Sequence, residues 1–156
     1  MKAATLVQTF TRKGLTLATA ESCTGGLVAG AITAVPGASR VFTHGFVTYI
    51  NTAKTQMLAV PEAMLAAHGA VSEPVARAMA EGARAVAGVD YAISTTGIAG
   101  PDGGTMAKPV GTVWFGLAGP TGTQAYHKLF RGDREAIRDQ AVAFALAVLE
   151  QQGGEI

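Results

Sequence analysis

Short apolar segments alternate with helical segments along most of this chain, and this order limits the folds open to it. Residue spacing and turn residues predict helices over 1–13 and 25–35, two further helical pieces of which the second covers 72–88, a last helix from 133, and strands over 15–20, 41–50, 91–95, 110–118 and 123–130. Strands that alternate with helices need crossover connections, whereas the last two strands form an antiparallel hairpin. We therefore expect a single layered α/β domain over residues 1–156, with a mixed β-sheet flanked by helices.

The composition fits such a domain and excludes several classes of protein. Of the 156 residues, 49% are hydrophobic and 15% are charged, which is typical of a folded chain. The formal net charge of +1 indicates no binding surface for nucleic acid or for a membrane. No apolar run reaches the roughly 20 residues that cross a bilayer, and the first residues lack the pattern of a secretory signal. The single cysteine, Cys23, excludes an internal disulfide and favours a cytoplasmic location.

The residues that usually bind metals are scattered. The three histidines match no zinc spacing, and no acidic pair is arranged for magnesium. We expect no metal and no cofactor.

The segment Glu21-Ser22-Cys23-Thr24-Gly25-Gly26 lies between a predicted strand and a predicted helix. Glycines allow a tight turn, and a helix N-terminus carries partial positive charge that suits a phosphate or a developing oxyanion. The structural alternative is that Ser22 or Thr24 only caps the helix, and placement alone favours capping.

A second glycine-rich segment, residues 95–104, follows the strand predicted at 91–95. If this strand and the one at 15–20 are parallel neighbours, both loops flank one crevice, where ligands bind in α/β sheets. A plain surface connection is the alternative. A loop this long in a small domain favours function.

Tyr49 lies at the end of the strand predicted at 41–50, and Lys54 follows that strand. A lysine whose pKa is lowered by burial can remove a proton from a serine. An exposed lysine at such a place is more often simply solvated.

Two arginines, Arg134 and Arg138, lie four residues apart at the start of the last helix, where the helix dipole disfavours cations. Ion pairs with Glu135 and Asp139 would explain them, and so would a bound anion gripped by the guanidinium groups. The sequence favours neither explanation over the other.

Six collinear blocks closely resemble the CinA C-terminal family, in its stand-alone amidohydrolase form: AESCTGG (20–26), GFVTYIN (45–51), HGAVSEPVARAMAEGA (68–83), TTGIAGPDGG (95–104), KPVGTVWF (108–115) and GDREAIRDQAVAFAL (132–146). The resemblance implies hydrolysis of the carboxamide of nicotinamide mononucleotide to nicotinic acid mononucleotide and ammonia, in the recycling of pyridine nucleotides. It also implies a metal-free Ser/Lys mechanism.

Carried over by position, the resemblance marks as catalytic the residues Ser22, Ser39, Tyr49 and Lys54. It implies that Ser22 attacks the amide after Lys54 takes its proton, and that Lys54, directly or through Tyr49, protonates the departing ammonia. Cys23 and Ser39 are rival nucleophiles. One departure is the single serine of PGAS (36–39), where many relatives have two.

The expected substrate contacts come from both glycine-rich loops and the last helix. Peptide N–H groups of the first loop would stabilise the oxyanion, while the second loop and one arginine would hold ribose and phosphate. The residues concerned are Cys23, Thr24, Gly25, Gly26, Thr96, Gly97, Gly100, Arg134 and Arg138.

The expected partner is a small nucleotide substrate, with no nucleic acid and no membrane. The apolar composition and the Gly/Ala-rich helices also favour a homo-oligomer. A second class of function is a non-catalytic nucleotide-binding module with a regulatory role linked to competence or DNA damage. Such a module would keep the phosphate-binding loops but would not need Lys54.

Overall fold

The computed structural model describes residues 2–154 and has the element order predicted from the sequence, except that three helices rather than two lie between the second and third strands. The elements are α1 (Lys2–Lys13), β1 (Leu17–Glu21), α2 (Leu27–Thr33), a 3₁₀ turn (Ala38–Arg40), β2 (Phe42–Val47), α3 (Asn51–Leu58), α4 (Glu62–His68), α5 (Glu73–Ala87), β3 (Tyr91–Gly97), β4 (Thr112–Gly119), β5 (Gly122–Leu129) and α6 (Arg134–Gly154). Met1 of the predicted first helix and residues 155–156 of the predicted domain lie outside the described residues.

The five strands form one mixed sheet in the order β2-β1-β3-β4-β5. β1 pairs in parallel with both β2 and β3, while β4 runs antiparallel to β3 and to β5. The predicted mixed sheet is therefore confirmed, and β1 and β3 meet the condition of being parallel neighbours. β2 ends at Val47, three residues earlier than predicted, because the chain turns there into α3.

Helices cover both faces of the sheet, and the strands alternate between two cores. Leu17 and Ile93 pack with α1, α2 and α6 on one face, whereas their neighbours Ala18 and Ala92 pack with α3, α4 and α5 on the other. Successive side chains of a strand point to opposite faces, so a central strand covered on both sides is apolar throughout. This packing explains why all five residues of β1 are buried, rather than every second one.

A glycine sets the distance between α3 and α5. A Cβ atom on Gly82 would fall 2.0 Å from the carbonyl oxygen of Leu58, far inside van der Waals contact. Only glycine allows this approach, which holds the end of α3 against the longer helix.

Every helix within residues 2–154 is too short or too polar to span a membrane.

Candidate active site

The carboxyl ends of the three parallel strands meet at one edge of the sheet. Beyond the strands the ladder continues, since the peptide N–H of Ser22 donates to the carbonyl of Thr95 at 2.9 Å and that of Thr48 donates to the carbonyl of Glu21 at 2.9 Å. These bonds hold the start of the first glycine-rich loop between β3 and the chain segment that follows β2.

A cleft of about 300 Å³ opens at this edge. Its walls come from both glycine-rich loops, from α3, from the α4–α5 connection and from the start of α6. The lining residues are Ser22, Cys23, Tyr49, Lys54, Ala70, Val71, Thr96, Gly97, Ile98, Ala99, Gly100, Asp102, Gly103 and Arg134. Eight of the residues expected from the sequence are therefore brought together here.

Ser22 and Lys54 are in direct contact on the floor of the cleft. The Nζ atom of Lys54 lies 3.1 Å from Oγ of Ser22 and donates to the carbonyl oxygen of Thr48 at 2.8 Å, with that of Tyr49 at 3.5 Å. A helical side chain leans towards the helix N-terminus, so Lys54 in α3 reaches back to the turn that precedes its own helix.

Burial changes the acidity of this lysine. Only 1% of Lys54 is exposed, and the loss of hydration lowers its pKa to about 8, against a smaller opposing effect of Cys23. The interpretation of Lys54 as a solvated surface lysine is therefore wrong. A substantial fraction of the amine is neutral in mildly alkaline solution.

Glu21, rather than Ser22 or Thr24, caps α2. Its Oε1 atom accepts from the peptide N–H of Val28 at 2.9 Å and from the hydroxyl of Thr24 at 2.6 Å, and its Oε2 atom accepts from the peptide N–H of Ala29 at 3.0 Å. The capping alternative for Ser22 and Thr24 is wrong, because a buried carboxylate has taken the donors. The peptide N–H groups of Val28 and Ala29 are therefore not available to bind a phosphate.

Cys23 lines the cleft but remains a protonated thiol. Burial, together with the nearby charge of Glu21, raises its pKa to about 11, although Arg138 and Lys54 act in the opposite direction. Since the thiolate is the reactive form, this environment disfavours Cys23 as the nucleophile.

The two arginines of α6 lie on different sides of the first loop. Arg134 lines the cleft and donates to the carbonyl of Gly100 at 2.8 Å. Arg138 lies behind the loop, where it donates to the carbonyls of Cys23 at 3.1 Å and Thr24 at 3.4 Å. Gly25 packs against the same guanidinium, since a Cβ there would lie 3.2 Å from it.

The ion pairs considered for these arginines are not formed. Within residues 2–154 the one ion pair joins Arg77 to Glu73 at 2.8 Å, so the pairing of Arg134 and Arg138 with Glu135 and Asp139 is wrong. Both guanidinium groups donate hydrogen bonds to backbone carbonyls instead.

Three further residues expected at the site do not line the cleft. Thr24 is buried beneath it, where its hydroxyl bonds to Glu21 and lies 2.7 Å from the hydroxyl of Thr95. Gly26 begins α2 on its outer side and faces Val47. Ser39 is exposed on the 3₁₀ turn that precedes β2, at the opposite end of that strand from the cleft.

Sequence reasoning missed the α4–α5 connection and the acidic residue of the second loop. Ala70 and Val71 form one wall, held by the hydroxyl of Thr96, which donates to the carbonyl of Ala70 at 2.8 Å. Nothing in these small side chains signals such a role. Asp102 stands among glycines of the second loop, and a lone carboxylate in that setting was a usable signal.

Comparison with known proteins agrees with this architecture. The model of the CinA C-terminal domain matches residues 1–152. The nicotinamide-nucleotide amidohydrolase PncC of Escherichia coli strain K12 is 56% identical over 146 residues, covering 93% of this chain and 88% of that protein. A CinA-like protein of Anaeromyxobacter dehalogenans strain 2CP-C is 56% identical over 144 residues, and the chain spans only 35% of its length.

Solved structures share the fold. The competence damage-inducible protein A of Klebsiella pneumoniae superposes with a TM-score of 0.95 at 38% identity, covering 99% of this chain and 96% of that one. The competence/damage inducible protein CihA of Agrobacterium tumefaciens gives a TM-score of 0.92 at 41% identity, covering 99% of this chain and 94% of that one. The chain therefore belongs to the CinA C-terminal domain family.

Proposed function

We propose that this protein hydrolyses the carboxamide of nicotinamide mononucleotide, with Ser22 as nucleophile and Lys54 as general base. The contact of 3.1 Å between Nζ of Lys54 and Oγ of Ser22 carries the proposal. The similarity to the nicotinamide-nucleotide amidohydrolase of Escherichia coli supports the choice of substrate.

The neutral amine of Lys54 has two N–H bonds and one lone pair. The carbonyls of Thr48 and Tyr49 accept hydrogen bonds from these two N–H groups. The lone pair is then free to accept the hydroxyl proton of Ser22. As that proton moves to Lys54, Oγ of Ser22 attacks the carbonyl carbon of the amide. The positive charge of the pyridinium ring withdraws electrons from this carbon and favours the attack.

The tetrahedral intermediate carries negative charge on the former carbonyl oxygen. The peptide N–H of Cys23, which lines the cleft, stabilises it, whereas that of Gly25 already donates to the carbonyl of Ser22 at 3.0 Å. Lys54 then gives its proton to the amide nitrogen, the C–N bond breaks, and ammonia leaves an ester on Ser22. Water attacks this ester with Lys54 again as base, which releases the carboxylic acid and restores Ser22.

Arg134 is the arginine that we assign to the phosphate, because it lies in the cleft whereas Arg138 supports the loop from behind. Thr96, Gly97 and Gly100 line the part of the cleft that we assign to the ribose. Thr24, Gly25 and Gly26 act by shaping the turn that carries Ser22.

The proposed substrate is a small nucleotide, and we place the reaction in the cytoplasmic recycling of pyridine nucleotides. Self-association stays a prediction. Size-exclusion chromatography with light scattering measures it directly.

Ammonia release from nicotinamide mononucleotide in the presence of a chelator tests the function. We expect activity in the wild type and none in Ser22→Ala, with trapping of an acyl-enzyme in the wild type and in Cys23→Ala. Ser39→Ala is the matched control, a serine exposed outside the cleft, and it should still form the acyl-enzyme. If the folded wild type binds the nucleotide but releases no ammonia, the amidohydrolase proposal fails and the nucleotide-binding module is favoured.

A further inference from the structure

Glu21 is a buried carboxylate for which the proposed chemistry has no use. It is 1% exposed, and with Lys54 it is one of two charged side chains that are fully buried within residues 2–154. A buried charge is costly unless hydrogen bonds satisfy it. Glu21 meets this condition through Thr24, Val28 and Ala29, so it ties the chain before the turn to the helix after it.

These bonds close a ring around the two residues that the turn presents to the cleft. Glu21 forms one end of β1, and its partners Thr24 and Val28 lie on the far side of Ser22 and Cys23. A hydrogen bond between Thr24 and Thr95 attaches the ring to β3. The backbone of residues 21–24 therefore has little freedom to rotate.

The rotation of this turn matters because Ser22 and Cys23 are adjacent nucleophiles in one cleft. Lys54 contacts the hydroxyl of Ser22 and makes no hydrogen bond to the thiol of Cys23 within the described part of the chain. We propose that Glu21 is a positioning residue that presents Ser22, and not Cys23, to Lys54. This proposal rests on the proposed function.

The charge of Glu21, like its hydrogen bonds, favours Ser22 over Cys23 as the nucleophile. The charged groups around the Cys23 thiol are Glu21, Arg138 and Lys54, and of these only Glu21 opposes ionisation of the thiol. A neutral side chain at position 21 would leave two cations facing the thiol. Loss of the carboxylate therefore both loosens the turn and makes Cys23 more reactive.

The test compares Glu21→Gln with the wild type in two measurements. For Glu21→Gln we expect kcat for ammonia release to fall by about 10- to 100-fold with KM within about threefold, because a misplaced nucleophile loses rate and not binding. We also expect iodoacetamide to alkylate Cys23 more than about twofold faster at pH 8, because loss of the Glu21 charge lowers the pKa of the thiol. Cys23 is the only cysteine, so mass spectrometry reports this site alone.

Asp90→Asn is the matched control. The Asp90 carboxylate accepts from the peptide N–H of Thr16 at 2.9 Å and from its hydroxyl at 3.2 Å, at the end of the sheet away from the cleft. This variant should lower Tm and leave kcat and the alkylation rate within about twofold of the wild type. A hydrogen bond far from the cleft contributes to stability and not to the reaction.

The proposal is overturned if Glu21→Gln keeps the kcat and alkylation rate of the wild type, or if Asp90→Asn changes both equally. Should Glu21→Gln fail to fold, Thr24→Val removes one bond of the ring but keeps the Glu21 charge, so it must lower kcat to a smaller degree. A wild type that releases no ammonia defeats the proposed function, whereas the alkylation rates still decide the role of Glu21.

Discussion

Arg134 donates a hydrogen bond of 2.9 Å to the phenol oxygen of Tyr49, a residue 85 positions earlier in the chain. The tyrosine ring is 56% exposed at the rim of the cleft, and its main-chain carbonyl, not its hydroxyl, faces Lys54. The phenol therefore belongs with the group that we assign to the phosphate. Direct proton transfer by Lys54 to the leaving nitrogen is the simpler of the two routes considered.

Replacement of Arg134 and Arg138 should separate binding from positioning. We expect Arg134→Ala to raise KM for nicotinamide mononucleotide by about 10- to 100-fold, because a charge-assisted bond to phosphate contributes about 1.5–3 kcal/mol. Arg138→Ala should instead lower kcat and Tm, since it releases the carbonyls of Cys23 and Thr24. Steady-state kinetics and thermal unfolding measure both.

Nicotinamide riboside, which lacks the phosphate, is the control for that assignment. The wild type and Arg134→Ala should hydrolyse it at rates within about threefold of each other, because the lost contact is absent from both reactions. An equal loss on both substrates would contradict the role given to Arg134.

The activity should rise with pH through the ionisation of Lys54. Since the pKa of Lys54 is lowered to about 8 and the neutral amine is the base, kcat/KM should increase about tenfold per pH unit below that value and level off above it. A pH–rate profile of ammonia release, at constant ionic strength, measures this. A profile that is flat from pH 6 to 9 would show that another group is the base.

The free energy of unfolding should also depend on pH through the ionisation of the buried Lys54. The pKa of Lys54 is about 8 when folded and 10.5 in the reference state, so between these values the unfolded chain binds more protons and this group adds stability as pH rises. Lys54→Met lacks this contribution. Its stability relative to the wild type should therefore decline from pH 8 to pH 10.5.

Urea unfolding of both proteins at several pH values measures the difference. Over this window the difference in unfolding free energy should change by at most about 3.5 kcal/mol, since one pKa unit is worth about 1.4 kcal/mol. A difference that is independent of pH would mean that the lysine ionises alike in both states.

Gly82→Ala should destabilise the protein and disturb the helix that carries Lys54. The new Cβ would meet the carbonyl of Leu58 at 2.0 Å, so α3 and α5 must separate, at a cost of about 1–3 kcal/mol. Gly30→Ala is the control, because its Cβ would meet nothing within 4 Å on α2. That variant should be neutral or more stable by up to about 1 kcal/mol. Equal Tm values for the two variants would refute the argument.

Most of the elements were predictable because each is encoded locally. The last helix was predicted from residue 133, and the carboxylate of Asp133 accepts from the peptide N–H of Ala136 at 2.9 Å. Parallel pairing of β1 and β3 was only a condition in the sequence analysis, and the structure, which meets it, places both glycine-rich loops at one edge. The 3₁₀ turn, the early end of β2 and the division of the segment before residue 72 into α3 and α4 were not predicted, since short helices and irregular turns carry weak signals.

The partners of charged side chains were much harder to predict. Glu21 reads in sequence as the last residue of a strand, and only the tertiary structure shows that α2 lies within reach of its carboxylate. Likewise, Arg134 and Arg138 have acidic neighbours in the chain, yet carbonyls of distant loops hold them. Backbone acceptors have no sequence signature, so such contacts are invisible before the chain folds.

The central strand pair has a consequence for how the protein acquires its activity. Thr16 and Asp90 are joined at the start of β1 and β3, although 74 residues separate them. Closing so long a loop costs entropy before any contact is gained, and non-local parallel pairing is slow for that reason. Helices can form early from local contacts, but Ser22 and Thr96 face one cleft only after this closure. Catalytic competence during refolding is thus limited by chain topology rather than by helix formation.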